Sequence, residues 1–228
     1  MTNAPKIICM IPARMGSQRL KQKNLRLFKG IPLITHAIRK AKQVDLFDAI
    51  WVNSEHEKFK EIALEEKVYY HRRPDKLANN TATSEDFIYE FLTNHECDYL
   101  IQLHTIAPLL VVETIRNFTM NMINKTPDAQ FSVVLEQIEC CYEGKPINFN
   151  PKTKTNSQYL QPVQRITWSM TGWKKSKYLE AYENGDCATY AGVNEFFSIR
   201  REEGLIVKTE VDFDLVMGLY KVKNHNES

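Results

Sequence analysis

The stretch Lys6-Ile7-Ile8-Cys9-Met10-Ile11, followed at once by Pro12-Ala13-Arg14-Met15-Gly16-Ser17-Gln18-Arg19-Leu20-Lys21-Gln22-Lys23-Asn24, decides the reading of the fold. An unbroken apolar run of this length predicts a strand covered on both faces, as in a parallel sheet. Pro12 closes the strand. The next residues hold Gly16, Ser17 and the four cations Arg14, Arg19, Lys21 and Lys23 before apolar residues resume at helical spacing. In a strand, basic loop and helix of this kind, backbone N–H groups can ring a phosphate while Arg14 and Lys23 neutralise a triphosphate. The loop is neither GxxxxGK[ST] nor GxGxxG. Taken by residue type alone, it reads equally well as a solvated basic loop with a structural glycine.

Outward from this stretch, short apolar runs alternate with helical patterns. Ile7–Ile11, Ala49–Val52, Val68–Tyr70, Tyr99–Leu103 and Phe131–Leu135 are expected strands. Leu33, Ile34, Ala37, Ile38 and Ala41 recur at helical spacing, as do Phe59, Ile62 and Ala63, then Phe87, Ile88, Phe91 and Leu92, then Val111, Ile115, Phe118 and Met122. Thr83-Ser84-Glu85-Asp86 has the spacing of a capping box at the start of the third helix. This alternation predicts an α/β fold of Rossmann-like type, a three-layer, mostly parallel sheet with helices on both faces and ligands beyond the carboxyl ends of the strands. Between residues 139 and 165 the period is lost, which predicts a small protruding arm serving as a hairpin, a lid or an oligomer contact. A strand over Phe196–Ile199 and a last helix through Val211, Leu215, Val216 and Leu219 follow, with a frayed end at 224–228. The whole chain, 1–228, reads as a single domain.

The 228 residues include 30 basic and 28 acidic side chains, a net charge of +2. That near-balance hides an asymmetry. The first 44 residues carry ten Lys or Arg and no acid, leaving a net −8 on the other 184. A basic front end suggests an anion site or a targeting segment, but the strand at Ile7–Ile11 does not suit a transit helix. No window approaches the ~18 apolar residues of a membrane span, so a cytoplasmic protein with no membrane partner is expected. Nucleic-acid binding is not expected, because the basic segment lacks a recognition motif or interleaved aromatics. The five cysteines are scattered without a CxxC pair, which indicates neither a disulfide framework nor zinc; Cys9 is an expected core residue.

The quoted stretch resembles the signature of the sugar-acid cytidylyltransferases, the CMP-sialic acid synthetase family, whose pattern is roughly IPARxGSKRLPxKN followed by GxPLI. Gly30-Ile31-Pro32-Leu33-Ile34 supplies the second half. Arg72–Ala78 with Asn80–Asp86 resembles the family's RPxxLAxDTASS segment, Ala107-Pro108-Leu109 the end of its QPTSPL turn, and Glu210-Val211-Asp212-Phe213-Asp214 its DIDTxxD motif. The resemblance implies a nucleotidyltransferase, GT-A-like fold and the joining of a 2-keto sugar acid (sialic, legionaminic, pseudaminic or Kdo type) to CMP from CTP. Pyrophosphate leaves with the help of Mg²⁺, and the CMP-sugar serves cell-surface polysaccharide synthesis. It further implies a homodimer made through the 139–165 arm.

By the same resemblance, Arg14 and Lys23 are the catalytic cations. Ala13, Gly16, Ser17, Asn24, Arg73, Ala82 and Thr83 complete the nucleotide site. His104, in place of the family's Gln, and Arg165 are expected at the sugar, where a guanidinium grips a carboxylate in two places. Asp212, Glu210 and Asp214 are the expected metal carboxylates, one or two of which suffice for Mg²⁺ bound also by phosphate. Each has a plainer alternative: Arg73 a surface ion pair, Arg165 a salt bridge within the arm, His104 a loop histidine, Asp212 a helix cap. Departures fall at Gln18, Lys21, Asn80, His104 and Glu210, and Gln164–Gly172 replaces an RPNG-like sugar segment. Two other functions are consistent with these residues: a non-catalytic nucleotide-binding homologue, and a metal-dependent glycosyltransferase reading Asp212-Phe213-Asp214 as DxD.

Overall fold

Alternation along the first strand sets the layering. In the computed structural model, which describes residues 4–79 and 81–225, Ile7, Cys9 and Ile11 point into one apolar cluster while Ile8 and Met10 point into another. The first cluster is filled from α1 (Leu33–Lys42), α2 (Glu57–Glu65) and α4 (Val112–Lys125). The second takes in α3 (Ser84–Asn94) and α5 (Lys175–Glu183). A strand with both faces covered favours apolar side chains on either, which is why the run reads as continuously apolar.

The strands in chain order are β1 (Ile7–Pro12), the short hairpin β2 (Leu27–Phe28) and β3 (Ile31–Pro32), β4 (Ala49–Ser54), β5 (Tyr69–Arg72), β6 (Tyr99–Leu103), β7 (Ala129–Glu136), the arm hairpin β8 (Cys141–Tyr142) and β9 (Lys145–Pro146), β10 (Val163–Lys174) and β11 (Asn194–Ser198). Seven form one sheet in the order β11-β7-β10-β6-β1-β4-β5. Every neighbouring pair is parallel except the two made by β10. From β1 the chain winds outward to β4 and β5, then returns to place β6 on the other side of β1. Loops leaving β1 and β6 therefore diverge, opening the crevice in which such sheets bind ligands.

The expected α/β fold is present, and each expected strand and helix is found to within a few residues. Two long elements were not expected, β10 and α5. β10 escapes a hydropathy reading because Thr167, Ser169 and Thr171 lie in it fully buried. Ser132 Oγ lies 2.9 Å from Thr167 Oγ1, and Ser169 Oγ donates to the Glu203 carbonyl at 3.1 Å. The strand is also broken by a register shift between Ile166 and Thr171, with Trp168 at φ 56°. The arm is consequently displaced toward the N-terminus: it leaves after Glu136 and is back in the sheet at Val163, so Arg165 belongs to β10.

Helix α6 (Glu210–His225) packs Phe213 and Val216 on Leu20, Phe28 and Leu33, holding the basic loop and the β2–β3 hairpin against the carboxyl end of the sheet. Asn224 and His225 fall within this helix, whereas residues 226–228 and Asn80 lie outside the described residues. Among the described residues no helix is long and apolar enough to cross a membrane.

Candidate active site

The loop after β1 is anchored by its own backbone. Ala13 N–H donates to the Asn53 carbonyl at 3.0 Å, Met15 N–H to Glu55 Oε1 at 2.8 Å and Ser17 N–H to the Met15 carbonyl at 2.9 Å. Three N–H groups are thus committed within the protein, a narrower phosphate cradle than the sequence suggests. Gly16 is exposed, has an ordinary backbone conformation, and a Cβ built on it meets nothing within 4 Å. Its contribution is open space over the loop rather than a turn that only glycine can make.

Behind this space the cations converge. Burial and the neighbouring charges of Arg19, Arg14 and Lys208 lower the Lys23 ammonium to about 8, opposed by the carboxylate of Asp212. Arg14 Nη1 donates to the Asn79 carbonyl at 3.2 Å, which leans this cation toward the segment before α3. Lys23 thus has three cations and one carboxylate among the charges that act on it, an excess of positive charge that suits an anion. Asn24 sits beneath them, 5% exposed: its Nδ2 donates to the Arg14 carbonyl at 3.1 Å and its Oδ1 accepts from Thr105 Oγ1 at 2.6 Å. It ties the loop after β1 to the loop after β6.

The base-side residues are more deeply engaged than expected. Arg73 is 3% exposed, so the surface ion-pair alternative does not hold. Its Nε donates to Asn53 Oδ1 at 2.7 Å and its Nη2 to the Asn53 carbonyl at 2.9 Å, while the guanidinium lies 4.1 Å from the Phe87 ring centroid. Burial lowers its pKa to about 10. Thr83 caps α3 with a complete capping box to Asp86, as expected, and Ala82 N–H donates to Asn79 Oδ1 at 2.8 Å. These groups form a rigid wall, and the N–H of Ala82 is already satisfied.

On the β6 side, burial and the charge of Lys23 lower the His104 imidazole to about 4. Its Nε2 lies 2.6 Å from Gln102 Nε2. A neutral ring that accepts the amide N–H there carries its own proton on Nδ1, a tautomer assigned from the donor. Gln102 was not singled out from the sequence, since a lone Gln in an apolar strand carries no motif. It is 2% exposed, and its Oε1 has no hydrogen-bond partner. A buried acceptor without a donor costs about 1–3 kcal/mol, so the side chain is held here by its amide N–H on His104 alone.

The expected three-carboxylate metal set does not assemble, and no group of three or more His, Cys, Asp or Glu suited to a metal is found among the described residues. All three carboxylates lie at the start of α6, where residues two apart point in different directions. Glu210 pairs with Arg26, and Asp214 is exposed. Asp212 Oδ2 accepts from Lys208 N–H at 2.9 Å, Thr209 N–H at 2.7 Å and Thr209 Oγ1 at 2.9 Å, so the cap alternative is realised. Capping and proximity to Lys23 coexist, and these contacts hold the carboxyl below the usual range despite partial burial. One carboxylate beside a polyphosphate site fits the donor set of Mg²⁺, with phosphate oxygens as the other ligands. Arg165 is likewise corrected: its Nε donates to Glu136 Oε1 at 3.0 Å across the β7–β10 ladder, the salt-bridge alternative.

Fold and site together define a doubly wound α/β protein with basic side chains gathered beside the switch point between β1 and β6. The cytidylyltransferase family model matches residues 8–170, and the chain belongs to that family. It is 29% identical over 225 residues to an N-acylneuraminate cytidylyltransferase of Streptococcus agalactiae, covering 93% of this chain and 53% of that protein. Against the pseudaminic acid cytidylyltransferase of Campylobacter jejuni it is 36% identical over 115 residues, 46% of this chain and 48% of the relative. The chain thus spans about half the length of the curated relatives it matches. A solved CMP:2-keto-3-deoxy-manno-octonic acid synthetase complexed with CTP superposes with TM-score 0.75 at 16% identity, covering 96% of this chain and 99% of that one.

Proposed function

We propose that this chain transfers CMP from CTP to the anomeric hydroxyl of a 2-keto sugar acid of the nonulosonic or octulosonic class, releasing pyrophosphate. The observation that carries the reading is the gathering of Arg14, Arg19, Lys208 and Asp212 about Lys23, beyond the carboxyl end of β1 in a chain of the cytidylyltransferase family. In an in-line attack on the α-phosphorus, charge accumulates on the departing pyrophosphate. Lys23 and Arg14, fixed beneath the loop, stabilise that charge without reorganising. Gly16 leaves room for the phosphates to approach the backbone of Ala13–Ser17. Asn24 positions this loop, and Arg73, Ala82 and Thr83 wall the base and ribose. Asp212 is the protein ligand for Mg²⁺, which when bound neutralises phosphate charge and polarises the phosphoryl group.

His104, held neutral with its proton on Nδ1 by the Gln102 amide, donates to a hydroxyl or carboxylate of the sugar acid. Arg165, engaged by Glu136, is left out of this assignment. The glycosyltransferase reading loses its basis, since Asp212 and Asp214 diverge on a helix. The chain acts as one domain and pairs with a second copy through the arm, whose Ile138, Tyr142, Ile147 and Tyr159 are exposed. Solution mass measurements are expected to give a dimer for the parent and a monomer for the Tyr142→Asp/Ile147→Asp variant, and a monomeric parent refutes this pairing.

The test is pyrophosphate release with CTP, Mg²⁺ and a panel of 2-keto sugar acids. Release with at least one sugar acid, absent in Arg14→Ala and Lys23→Ala proteins that still fold, supports the reading. Intact CTP binding with no release across the panel overturns it in favour of a non-catalytic nucleotide binder.

A further inference from the structure

A cleft of about 510 Å³ opens on the outer side of α1, bounded by His36, Arg39 and Lys40, by the chain from Pro108 to Val112, and by Phe28 and Tyr220. Arg14, Lys23 and Arg73 do not line it, and neither does any Asp or Glu. Its volume falls in the range of small-molecule sites.

The charges in this cleft are unbalanced. Lys40 reaches under Pro108 and donates to its carbonyl at 2.6 Å, leaving further ammonium N–H donors for a ligand. Burial, with the charge of Lys29, lowers its pKa to about 8 against the opposing pull of Glu203. The Lys29 ammonium lies 3.7 Å from the Tyr220 ring centroid and 5.7 Å from that of Phe28. Among the described residues neither lysine has a carboxylate within ion-pair distance, whereas Arg39 is matched by Glu66 at 2.7 Å. His36 Nε2 lies 2.5 Å from the Phe28 carbonyl, and burial lowers its pKa. Two cations unmatched by carboxylates therefore stand over walls made of Pro108–Val112, Phe28 and Tyr220. A much narrower gap of about 10 Å³ shares His36, Lys40, Pro108 and Leu110 with the cleft and ends on His104 and Thr105.

We infer that this cleft is a second ligand site, separate from the nucleotide site, for small amphiphilic anions: a carboxylate, phosphate or sulfonate carried on a flat apolar body. Lys29 and Lys40 take the anionic head, and Tyr220 with the 108–112 segment takes the apolar body. A free nucleotide triphosphate fits poorly, because the cleft offers two cations and an apolar wall rather than the four-cation cluster of the first site.

The test uses 8-anilino-1-naphthalenesulfonate as the probe, titrated by fluorescence into the full chain with saturating CTP present. One saturable site is expected, displaced by phenyl phosphate and not by phenol. Lys29 occupies the left-handed turn between β2 and β3 at φ 53°, so Lys29→Asn removes the charge while suiting that conformation. Both Lys29→Asn and the charge reversal Lys29→Glu are expected to weaken binding, the reversal by ~10-fold or more. Gln43→Trp, which fills the cleft from α1, abolishes it. The inference is overturned if the probe binds these variants as it binds the parent, with thermal melts unchanged, or if CTP displaces it.

Discussion

The proposed placement of Lys23 at the triphosphate predicts that CTP binding is coupled to proton uptake. In the free protein its ammonium titrates at about 8, because burial and the charges of Arg19, Arg14 and Lys208 outweigh the help from Asp212. A bound triphosphate places several negative charges against the same group and favours the charged form, returning its pKa toward or above the ordinary lysine value of 10.5. The sign follows. Well below pH 8 the lysine is already charged in both states, and binding moves no proton. Near pH 8 it is about half charged when free and almost fully charged when bound, so about half a proton is taken up per CTP. Above that, each further pH unit weakens CTP affinity by up to ~10-fold until the bound-state pKa is reached. Calorimetry of CTP binding in buffers of different ionisation enthalpy reads the uptake directly, and Lys23→Met serves as the reference for protons carried by the nucleotide itself. The reasoning is refuted if parent and Lys23→Met show the same buffer dependence at pH 8, or if CTP affinity stays flat between about pH 7 and 9.

Gln102→Glu places a carboxylate against His104 Nε2 and should raise the imidazole from about 4 by ~1–3 units, read by ¹⁵N NMR titration; an unchanged titration removes Gln102 from control of that ring. Asp212→Asn retains a capping oxygen but lowers Mg²⁺-dependent pyrophosphate release by ~100-fold, whereas Glu210→Gln, whose carboxylate serves Arg26, changes it by less than about 3-fold. Glu203 is 1% exposed and accepts from Val111 N–H at 3.1 Å, Thr114 Oγ1 at 2.7 Å and Arg200 Nε through its other oxygen at 3.2 Å. Glu203→Ala strands these donors and should cost about 2–4 kcal/mol in urea unfolding, with loss of order in the 108–112 segment.

The order of strands and helices was legible because β1, β6 and the faces of α1, α3 and α4 obey periodicities that do not depend on distant partners. The capping box at Thr83 and the basic loop ending in Lys23 are likewise local. Sequence alone established an α/β chain with a basic, glycine-containing loop after its first strand, and the ordered motifs pointed to the family. Tertiary structure decided whatever depends on a remote partner. β10 is buried although Thr167 and Ser169 are polar, because Ser132 and the Glu203 carbonyl satisfy their hydroxyls. Arg165 is held by Glu136 and Glu210 by Arg26, and the helix turns Asp212 away from its two acidic neighbours, so the three carboxylates do not converge. Gln102 gained meaning only once β6 carried it beside His104 in an interior with no donor for its oxygen. Periodicity reports which face a residue is on, whereas the charge and hydrogen-bond partners that give a polar side chain its chemistry lie tens of residues away and meet it only in the folded chain.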